Sequence, residues 1–422
     1  MANDASGSAR RNIATLVSGS MVAQLATMAA MPVLSRLYSP EAFGQYSIFV
    51  SVTLLAAVVA TLRYELAIVL PRSLREAAAL KRLTGRLLLV SSAVIVAVCA
   101  VILIWSSTWS PQWRGLILLM GPEVFLLGSI SLLTFWFTRT GTYGVLSRNR
   151  VALAVLVAAA QILISFAGLS GGLSLAIGLM IGQVFAVVLL SFSDTSRRLL
   201  PAQTQRRRWS YLLRKYWRMP ALTMPQTLVD SFRVNGINFI IGHYSLSALG
   251  QYSQAWRLVN VPAALIGSAI SQVYFPRLAS TPKRDLPRVV RSSVTQSLLL
   301  GFVPFALVFF LSPIVVPWVL GEQWQDAGLY AQALVPWLYL NLAASPVSTL
   351  FVVLGKQHLG LMFAVVYAGV PIGVLVAFSS QLYLGIIMMS IVQSVLLIVN
   401  LLLTWWIARR AASSEAATSR RG

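Results

Sequence analysis

The sequence predicts an all-α integral membrane protein with about 12 transmembrane helices. Of its 422 residues, 57% are hydrophobic and only 10% are charged. The mean hydropathy is +0.77, which lies well above the range of soluble globular proteins. A membrane-spanning helix needs roughly 20 mostly apolar residues, and the chain repeats such runs between short basic stretches. Because lipid offers the backbone no hydrogen-bond partners, these runs must be helical.

Twelve apolar runs are long enough to be spans. The first follows Arg10 and Arg11 and is longer than the apolar core of a signal peptide, so we interpret it as a retained helix. The ninth is interrupted by Pro304, and Pro313 and Pro317 follow it, so we expect a kink or a short interfacial segment there. The predicted spans are residues 12–34, 46–70, 87–105, 115–137, 151–169, 173–193, 220–242, 252–275, 292–311, 327–351, 361–379 and 384–407.

Lysine and arginine are distributed unequally between alternate loops. The termini and the loops on their side hold 28 of the 33 basic residues, and the opposite loops hold only Arg36 and Arg114. The positive-inside rule therefore predicts that both termini are cytoplasmic. The net charge of +22 is explained by topology and by attraction to anionic lipid headgroups. We therefore expect the lipid bilayer, and no nucleic acid, as a partner.

An internal repeat relates the two halves of the chain. Residues 38–47 read YSPEAFGQYS and residues 244–253 read YSLSALGQYS, with seven of ten positions identical. Each copy joins the first and second helices of a six-helix set, which predicts parallel 6+6 repeats. We predict two six-helix lobes around a central cavity, with four segments in chain order: an N-terminal lobe (1–193), a basic cytoplasmic linker (194–219), a C-terminal lobe (220–407) and a cytoplasmic tail (408–422).

Charged residues inside predicted spans are candidates for function. Each costs roughly 2.5 to 3.5 kcal/mol at a helix centre, so it normally faces a partner or a wet cavity. The alternative is that such a residue only forms bonds between helices or extends its charge to the membrane interface, which applies above all to Arg257. The six residues are Arg63, Glu65, Glu123, Asp230, Arg233 and Arg257.

The spacing of these residues predicts how they pair. Asp230 and Arg233 are three apart, on one helical face, where they can pair or jointly line a cavity. Arg63 and Glu65 are two apart, so on a helix each needs its own partner.

The sequence lacks the groups that covalent catalysis or a metal site requires. It has one cysteine, Cys99, and two isolated histidines, His243 and His358, so it offers neither a disulfide framework nor a clustered metal site. It also has no phosphate-binding loop, zinc-hydrolase motif or nucleophile elbow. We expect a transporter without catalytic residues, metal or cofactor.

Two segments carry a family resemblance: SRLYSPEAFGQYS from Ser35 to Ser47 and ATLRYELAIVLP from Ala60 to Pro71. They resemble Wzx-type oligosaccharide flippases, within the multidrug/oligosaccharidyl-lipid/polysaccharide (MOP) superfamily, and the resemblance covers essentially the full chain. It implies a MATE-like fold and the transfer of a polyprenyl-diphosphate-linked oligosaccharide from the inner to the outer leaflet of the bacterial cytoplasmic membrane. The product would serve O-antigen, capsule or exopolysaccharide assembly, with the polymerase and glycosyltransferases of that pathway as partners. The resemblance also implies importance for Arg63 and Glu65.

We expect the six charged residues to divide into two roles. Arg63, Arg233 and Arg257 would bind the diphosphate or acidic sugars. Glu65, Asp230 and Glu123 would balance those charges or bind a coupling cation, H⁺ or Na⁺, although the membrane potential can also drive transfer. The alternatives are a cation-coupled multidrug exporter of the same superfamily and a lipid-linked peptidoglycan precursor flippase. A membrane polymerase or ligase is disfavoured because the outer loops are short.

Overall fold

The computed structural model describes residues 2–106, 108–194, 206–348, 350–354 and 356–419, and the remaining parts of the predicted linker and tail lie outside this range. Within it the chain is helical, with no strand assigned. The α-helices are α1 (Ala2–Leu37), α2 (Pro40–Thr61), α3 (Leu74–Trp105), α4 (Pro111–Thr140), α5 (Tyr143–Phe166), α6 (Gly172–Phe192), α7 (Arg206–Lys215), α8 (Met224–Tyr244), α9 (Leu246–Ser280), α10 (Leu286–Leu320), α11 (Gln325–Val347), α12 (Leu350–Val353), α13 (Gln357–Ala377) and α14 (Leu382–Ser419).

Each predicted span corresponds to a helix, which confirms the all-α membrane class. Among the described residues, eight helices are long and apolar enough to cross a membrane. The other four predicted spans correspond to α8, α9, α11 and α13. Each of these has at least 21 residues, which is enough to cross the hydrocarbon layer. The chain is therefore a multi-pass membrane protein.

The proline-rich ninth span lies within one helix, α10, with Pro304, Pro313 and Pro317 inside it, so of the two outcomes expected there a separate interfacial segment does not form. One predicted span is wrong at its end. The second span does not continue as an α-helix to residue 70. Helix α2 ends at Thr61, and after Leu62 and Arg63 a 3₁₀-helix runs over Tyr64–Val69. Hydropathy could not reveal this end, because the 3₁₀ segment is as apolar as a span.

The chain divides into two compact units, residues 1–242 and 243–422. In the first unit, α4 packs against α2, α3 and α6, and α5 packs against α1 and α6. In the second unit, α11 packs against α9, α10 and α14, and α14 also contacts α13.

Close packing of α5 against α6 depends on two glycines. A Cβ atom at Gly178 would lie 2.5 Å from Gln161 Cγ, and one at Gly182 would lie 2.4 Å from Val157 Cγ2. Both distances are too short for a real contact. The sequence pattern of small residues four apart thus marks a helix-packing face, as such patterns do in membranes.

The described part of the predicted linker contains a helix, α7, that packs inside the first unit. On α7 and just after it, Leu212 and Tyr216 are buried in a cluster that includes Leu80 and Trp136. Lys215 Nζ lies 2.6 Å from Glu76 Oε1 on α3. The hydrogen bond with Glu76 raises the pKa of Lys215 above its ordinary value. Helix α7 is therefore held by both apolar and charged contacts.

The internal repeat is visible in local structure. Ser39 and Ser245, which occupy equivalent positions, cap α2 and α9 by accepting hydrogen bonds from the backbone N–H groups of Ala42 (3.2 Å) and Ala248 (3.1 Å). Such caps satisfy donors that a helix start leaves unpaired. Both halves thus begin their second helix in the same way.

One repeated glutamine is used differently in the two halves. Gln45 Oε1 accepts a hydrogen bond of 3.3 Å from the N–H of Gly172, the first residue of α6. Its counterpart, Gln251, accepts one of 2.9 Å from the N–H of Ala327 in the first turn of α11. In the six-helix order of each half, α6 is the sixth helix and α11 is the fourth. The same side chain therefore secures non-equivalent helices.

Candidate functional site

The first candidate site lies where α2 ends. Leu62 and Arg63 both adopt left-handed backbone conformations, with φ values of 49° and 59°. Two consecutive left-handed residues that are not glycine cost roughly 1–2 kcal/mol each, and the buried Tyr64, Ala67 and Ile68 that follow supply compensating packing. The turn points the chain into the 3₁₀-helix and sets the direction of the Arg63 side chain.

This turn brings Arg63 and Glu65 together, contrary to the sequence prediction that each needs its own partner. Arg63 Nη1 lies 3.1 Å from Glu65 Oε1. On an α-helix, residues two apart point in different directions, but the left-handed turn breaks that geometry. The prediction failed because it assumed that α2 continued through both residues.

The pair is asymmetric in its exposure. The Glu65 side chain is 1% exposed, whereas that of Arg63 is 24% exposed. Glu65 Oε2 is buried and has no hydrogen-bond partner among the described residues. Arg63 Nε donates a 3.3 Å hydrogen bond to Thr227 Oγ1 on α8. The guanidinium thus connects the turn to α8 while part of it stays accessible to a further anion.

The turn also contacts the segment that leads into α8. The Tyr64 hydroxyl donates a 3.4 Å hydrogen bond to the carbonyl of Leu213 on α7. The 3₁₀-helix packs against a π-helical turn, Met219–Thr223, which immediately precedes α8. Turns of this type occur frequently at functional sites. Arg63 therefore lies where three segments of the first unit meet.

Helix α8 carries the next two candidate residues. Its face toward α2 is defined by Thr227, which contacts Arg63, and by Asn238, whose Nδ2 donates a 2.9 Å hydrogen bond to Ser51 Oγ. At about 100° per residue, Asp230 lies about 60° around the helix from Thr227 and Arg233 about 120°, so only Asp230 adjoins this face and Arg233 is turned well away from it. Asp230 is exposed and Arg233 is half-buried. Both remain candidates on the same helix that holds Arg63.

Glu123 lies apart from that group, inside the first unit on α4. Its side chain is fully buried, and Gln183 Nε2 on α6 donates a 2.8 Å hydrogen bond to Glu123 Oε1. Glu123 Oε2 and Gln183 Oε1 are buried without hydrogen-bond partners among the described residues. The arrangement could take up a proton or a small cation. Sequence reasoning missed Gln183, because a lone glutamine in an apolar helix carries no distinctive pattern.

Arg257 belongs to the second unit, on α9. It is half-buried and follows Trp256, whose ring centroid lies 5.0 Å from that of Trp337 on α11. The described residues contain no cluster of three or more histidine, cysteine, aspartate or glutamate side chains that could hold a metal ion.

Comparison with known proteins identifies the relatives of this chain. Residues 33–328 match the family model described as "Polysaccharide biosynthesis protein". A comparison with curated proteins found no match. Among solved structures, the lipid II flippase MurJ in an inward closed conformation is similar with a TM-score of 0.72 at 11% identity, over 92% of this chain and 87% of that one.

Two further solved structures are also similar in fold. A MATE P26A mutant has a TM-score of 0.57 at 16% identity, over 95% of this chain and 96% of its own. A MOP superfamily transporter from Pyrococcus furiosus, whose binding pocket is described as having reverse polarity, has a TM-score of 0.57 at 14% identity, over 96% of both chains. At these identities the likeness establishes the fold, which is that of MOP superfamily transporters.

Proposed function

The chain belongs to the polysaccharide biosynthesis protein family, and we propose that it is a flippase for a polyprenyl-diphosphate-linked oligosaccharide. It would move this lipid from the inner to the outer leaflet of the bacterial cytoplasmic membrane by alternating access, with both termini in the cytoplasm. The product would enter O-antigen, capsule or exopolysaccharide assembly, alongside the polymerase and glycosyltransferases of the same pathway.

The physical problem is to carry a hydrated, charged head through hydrocarbon. Moving polar groups into an apolar medium without hydrogen bonds costs several kcal/mol for each group, and moving an ion costs far more. The prenyl tail can stay in the lipid throughout. The protein therefore has to supply hydrogen bonds and cations to the head alone.

One observation carries the proposal: the partly exposed guanidinium of Arg63, held between buried Glu65 and Thr227 on α8. Arginine binds phosphate oxygens with two parallel N–H donors and stays charged at any physiological pH. A diphosphate fits this donor. Arg233 lies farther along the helix that Arg63 contacts, and we propose it as a second cation for the head, with Asp230 balancing its charge.

The Glu65 partner suits a carrier better than a permanent binding site. A flippase must release its cargo, and a lone buried arginine would hold a diphosphate too tightly. Because Glu65 already neutralises the guanidinium, a diphosphate has to compete with it. We propose that this competition limits affinity and permits release.

The membrane potential can supply the driving force. A cytoplasm-negative potential favours outward movement of an anionic head by about 2.3 kcal/mol per charge per 100 mV. Coupling to H⁺ or Na⁺ is then an addition rather than a requirement, and Glu123 with Gln183 is the proposed place for it. The variant Glu123→Gln keeps a similar volume but cannot exchange a proton. Under an imposed pH gradient it should transport like the wild type if voltage alone drives transfer, and more slowly if Glu123 couples the proton.

A lipid-linked peptidoglycan precursor is the second candidate substrate, favoured by the fold similarity to a lipid II flippase. It shares the polyprenyl diphosphate, so the Arg63 site fits both. A multidrug exporter is disfavoured at the Arg63 site, because an organic cation calls for unpaired carboxylates or aromatic rings, whereas this site presents a guanidinium and a carboxylate, Glu65, already paired with it.

Transport in proteoliposomes tests the proposal. The lipid-linked oligosaccharide, purified from the source cells and labelled in its sugar, is placed in the vesicles, and a membrane-impermeant hydrolase outside releases label only from molecules in the outer leaflet. We expect the wild type to expose the inner pool, and Arg63→Gln to be at least tenfold slower. Arg148→Gln is the matched control, because Arg148 is an exposed arginine on α5 of the same unit.

Three results separate the functions. Faster transfer of lipid-linked peptidoglycan precursor than of lipid-linked oligosaccharide would favour the second candidate. Efflux of an organic cation without lipid transfer would indicate a multidrug exporter. Equal transfer rates for Arg63→Gln and Arg148→Gln would remove Arg63 from the site.

A further inference from the structure

The last membrane-spanning helix, α14, carries two tryptophan–arginine pairs near the end of its apolar stretch. The guanidinium carbon of Arg409 lies 3.6 Å from the ring centroid of Trp405, and that of Arg410 lies 3.9 Å from the ring centroid of Trp406. Both distances are well within the range of cation–π contact. The members of each pair are four residues apart, so one helical turn brings the cation over the ring. We call these four residues the arginine–tryptophan cluster.

The stacked arginines keep their capacity to bind an anion. The ring contacts the flat face of the guanidinium, and the N–H donors at its edge stay available. Both arginines are exposed, and among the described side chains neither forms an ion pair with a carboxylate. The cluster therefore presents two oriented cations to a ligand with oxygen acceptors, such as a phosphate.

An apolar stripe on the same helix leads to the cluster. The exposed side chains along one face are all apolar: Ile391, Val395, Ile398, Val399, Leu402 and Trp406. The polar residues of this stretch lie on the opposite, buried face: Gln393, Ser394, Asn400 and Thr404. At 1.5 Å per residue the stripe is about 22 Å long. That length exceeds one leaflet, which is half of a hydrocarbon layer about 30 Å thick.

The two arginines flank the end of this stripe. At about 100° per residue, Arg410 lies about 40° to one side of Trp406 and Arg409 about 60° to the other. Side chains on a helix lean toward its N-terminus, which here is the direction of the stripe. The two positive charges are therefore held against the end of the apolar surface and do not project away from it.

The end of the apolar stretch is held in place by the second unit. Ala408 is fully buried and belongs to an apolar cluster with Leu278 and Leu286. The 3₁₀ turn Lys283–Asp285 also packs against α14. Since α14 continues as a helix to Ser419, the arginine–tryptophan cluster lies on a regular, supported part of the helix.

We propose that the cluster and the stripe form a binding site for an anionic phospholipid of the bilayer. Its phosphate would accept hydrogen bonds from Arg409 and Arg410. Its glycerol region would lie beside the indole rings, which favour the membrane interface, and its acyl chains would pack along the stripe. An anionic headgroup is favoured over a zwitterionic one, because residues 391–410 include no acidic residue to pair with an ammonium group.

Two features distinguish this site from the general excess of basic residues. Topology requires only positive charge on one side of the membrane, whereas here each cation is oriented by its own ring. The pattern also occurs in one half only: α6, the sixth helix of the first half, ends at Phe192 with no basic residue in its last turn. The basic side is predicted to be cytoplasmic, so the lipid would come from the inner leaflet.

Native mass spectrometry of the full chain in detergent tests the site. The protein is titrated with phosphatidylglycerol or with zwitterionic phosphatidylethanolamine, and the fraction that carries one lipid gives an apparent Kd. A cation near the membrane surface contributes about fivefold in affinity. Replacing Arg409 and Arg410 together by Gln should therefore weaken phosphatidylglycerol binding roughly thirtyfold and leave phosphatidylethanolamine unchanged. The control replaces Arg148 and Arg214, two exposed arginines of the first unit, and should change neither affinity.

Two further double variants test the parts of the site. Arg409→Lys with Arg410→Lys keeps the charge but loses the planar fork of donors. Trp405→Leu with Trp406→Leu keeps the guanidinium groups but removes the rings that orient them. Each should bind phosphatidylglycerol with an affinity between those of the wild type and the glutamine variant.

Four results would overturn the proposal. They are an unchanged phosphatidylglycerol affinity in the glutamine variant, an equal loss in the control, full affinity in the lysine variant, and displacement of phosphatidylglycerol by equimolar sugar-free polyprenyl diphosphate. The second would indicate non-specific attraction, and the fourth would assign the cluster to the transported lipid. None of these measurements requires transport, so their outcome is independent of the proposed function.

Discussion

Replacing Arg63 by methionine should destabilise the protein more than replacing its partner. The reason is the unequal burial of the pair: the side chain of Glu65 is 1% exposed and that of Arg63 is 24% exposed. Arg63→Met leaves a buried carboxylate without its cation. Glu65→Leu leaves a guanidinium that water can still reach.

The magnitudes follow from these exposures. Breaking a buried ion pair by removing one partner typically costs about 3–5 kcal/mol. Because Arg63 is partly hydrated, we expect Arg63→Met to cost about 3 kcal/mol and Glu65→Leu about 1 kcal/mol. The double variant removes both charges, and a buried pair replaced by apolar side chains is often close to neutral. It should lie within about 1 kcal/mol of the wild type, which implies a coupling of about 4 kcal/mol.

The measurement is a double-mutant cycle on the free energy of unfolding in bicelles, with Arg148→Met as the control. The same four proteins are then assayed for transport. A double variant that regains stability but not transport would separate the structural role of Arg63 from its role in binding. A loss of under 1 kcal/mol for Arg63→Met, or a larger loss for Glu65→Leu, would refute the account of the pair.

Three further predictions concern the fold. Gly141→Ala should cost roughly 1 kcal/mol, because Gly141 ends α4 in the left-handed region, with φ of 73°. Gly144→Ala is the control and should be neutral, because a side chain has open space at both positions. Equal unfolding midpoints for the two variants would contradict a cost from the left-handed backbone. Gly182→Val should separate α5 from α6 and cost at least about 1–3 kcal/mol, measured by thermal unfolding, and a normal midpoint would show that Val157 can move aside. The hydrogen bond with Glu76 raises the pKa of Lys215, so the stability that this ion pair gives α7 is complete below the unfolded pKa of about 10.4 and is lost only above the raised pKa. Protection of α7 from protease should therefore be constant from pH 7 to about 9.5. In Glu76→Gln this protection should be reduced at every pH.

Hydropathy and repeat patterns predicted most of the fold, because lipid imposes one strict requirement. Every backbone group must be satisfied within its own segment, so a long apolar run can only be a helix. This requirement says nothing about where a helix ends inside an apolar run. The end of α2 at Thr61 was missed for this reason, since neither Leu62 nor Arg63 is a residue that favours a left-handed turn.

The candidate residues could be found from the sequence, but their contacts could not. An ionisable residue in an apolar run is conspicuous, and all six candidates were found in this way. Their hydrogen-bond partners, Thr227 and Gln183, are ordinary polar residues whose importance depends on three-dimensional proximity.

The different bonds made by Gln45 and Gln251 bear on how a duplicated protein specialises. Each glutamine bonds to a helix of its own half, so the same inherited side chain anchors a different helix in each half. Duplication provided a common scaffold, and later changes allowed each copy to settle into its own architecture. Such freedom lets one half acquire recognition chemistry that its twin never needs.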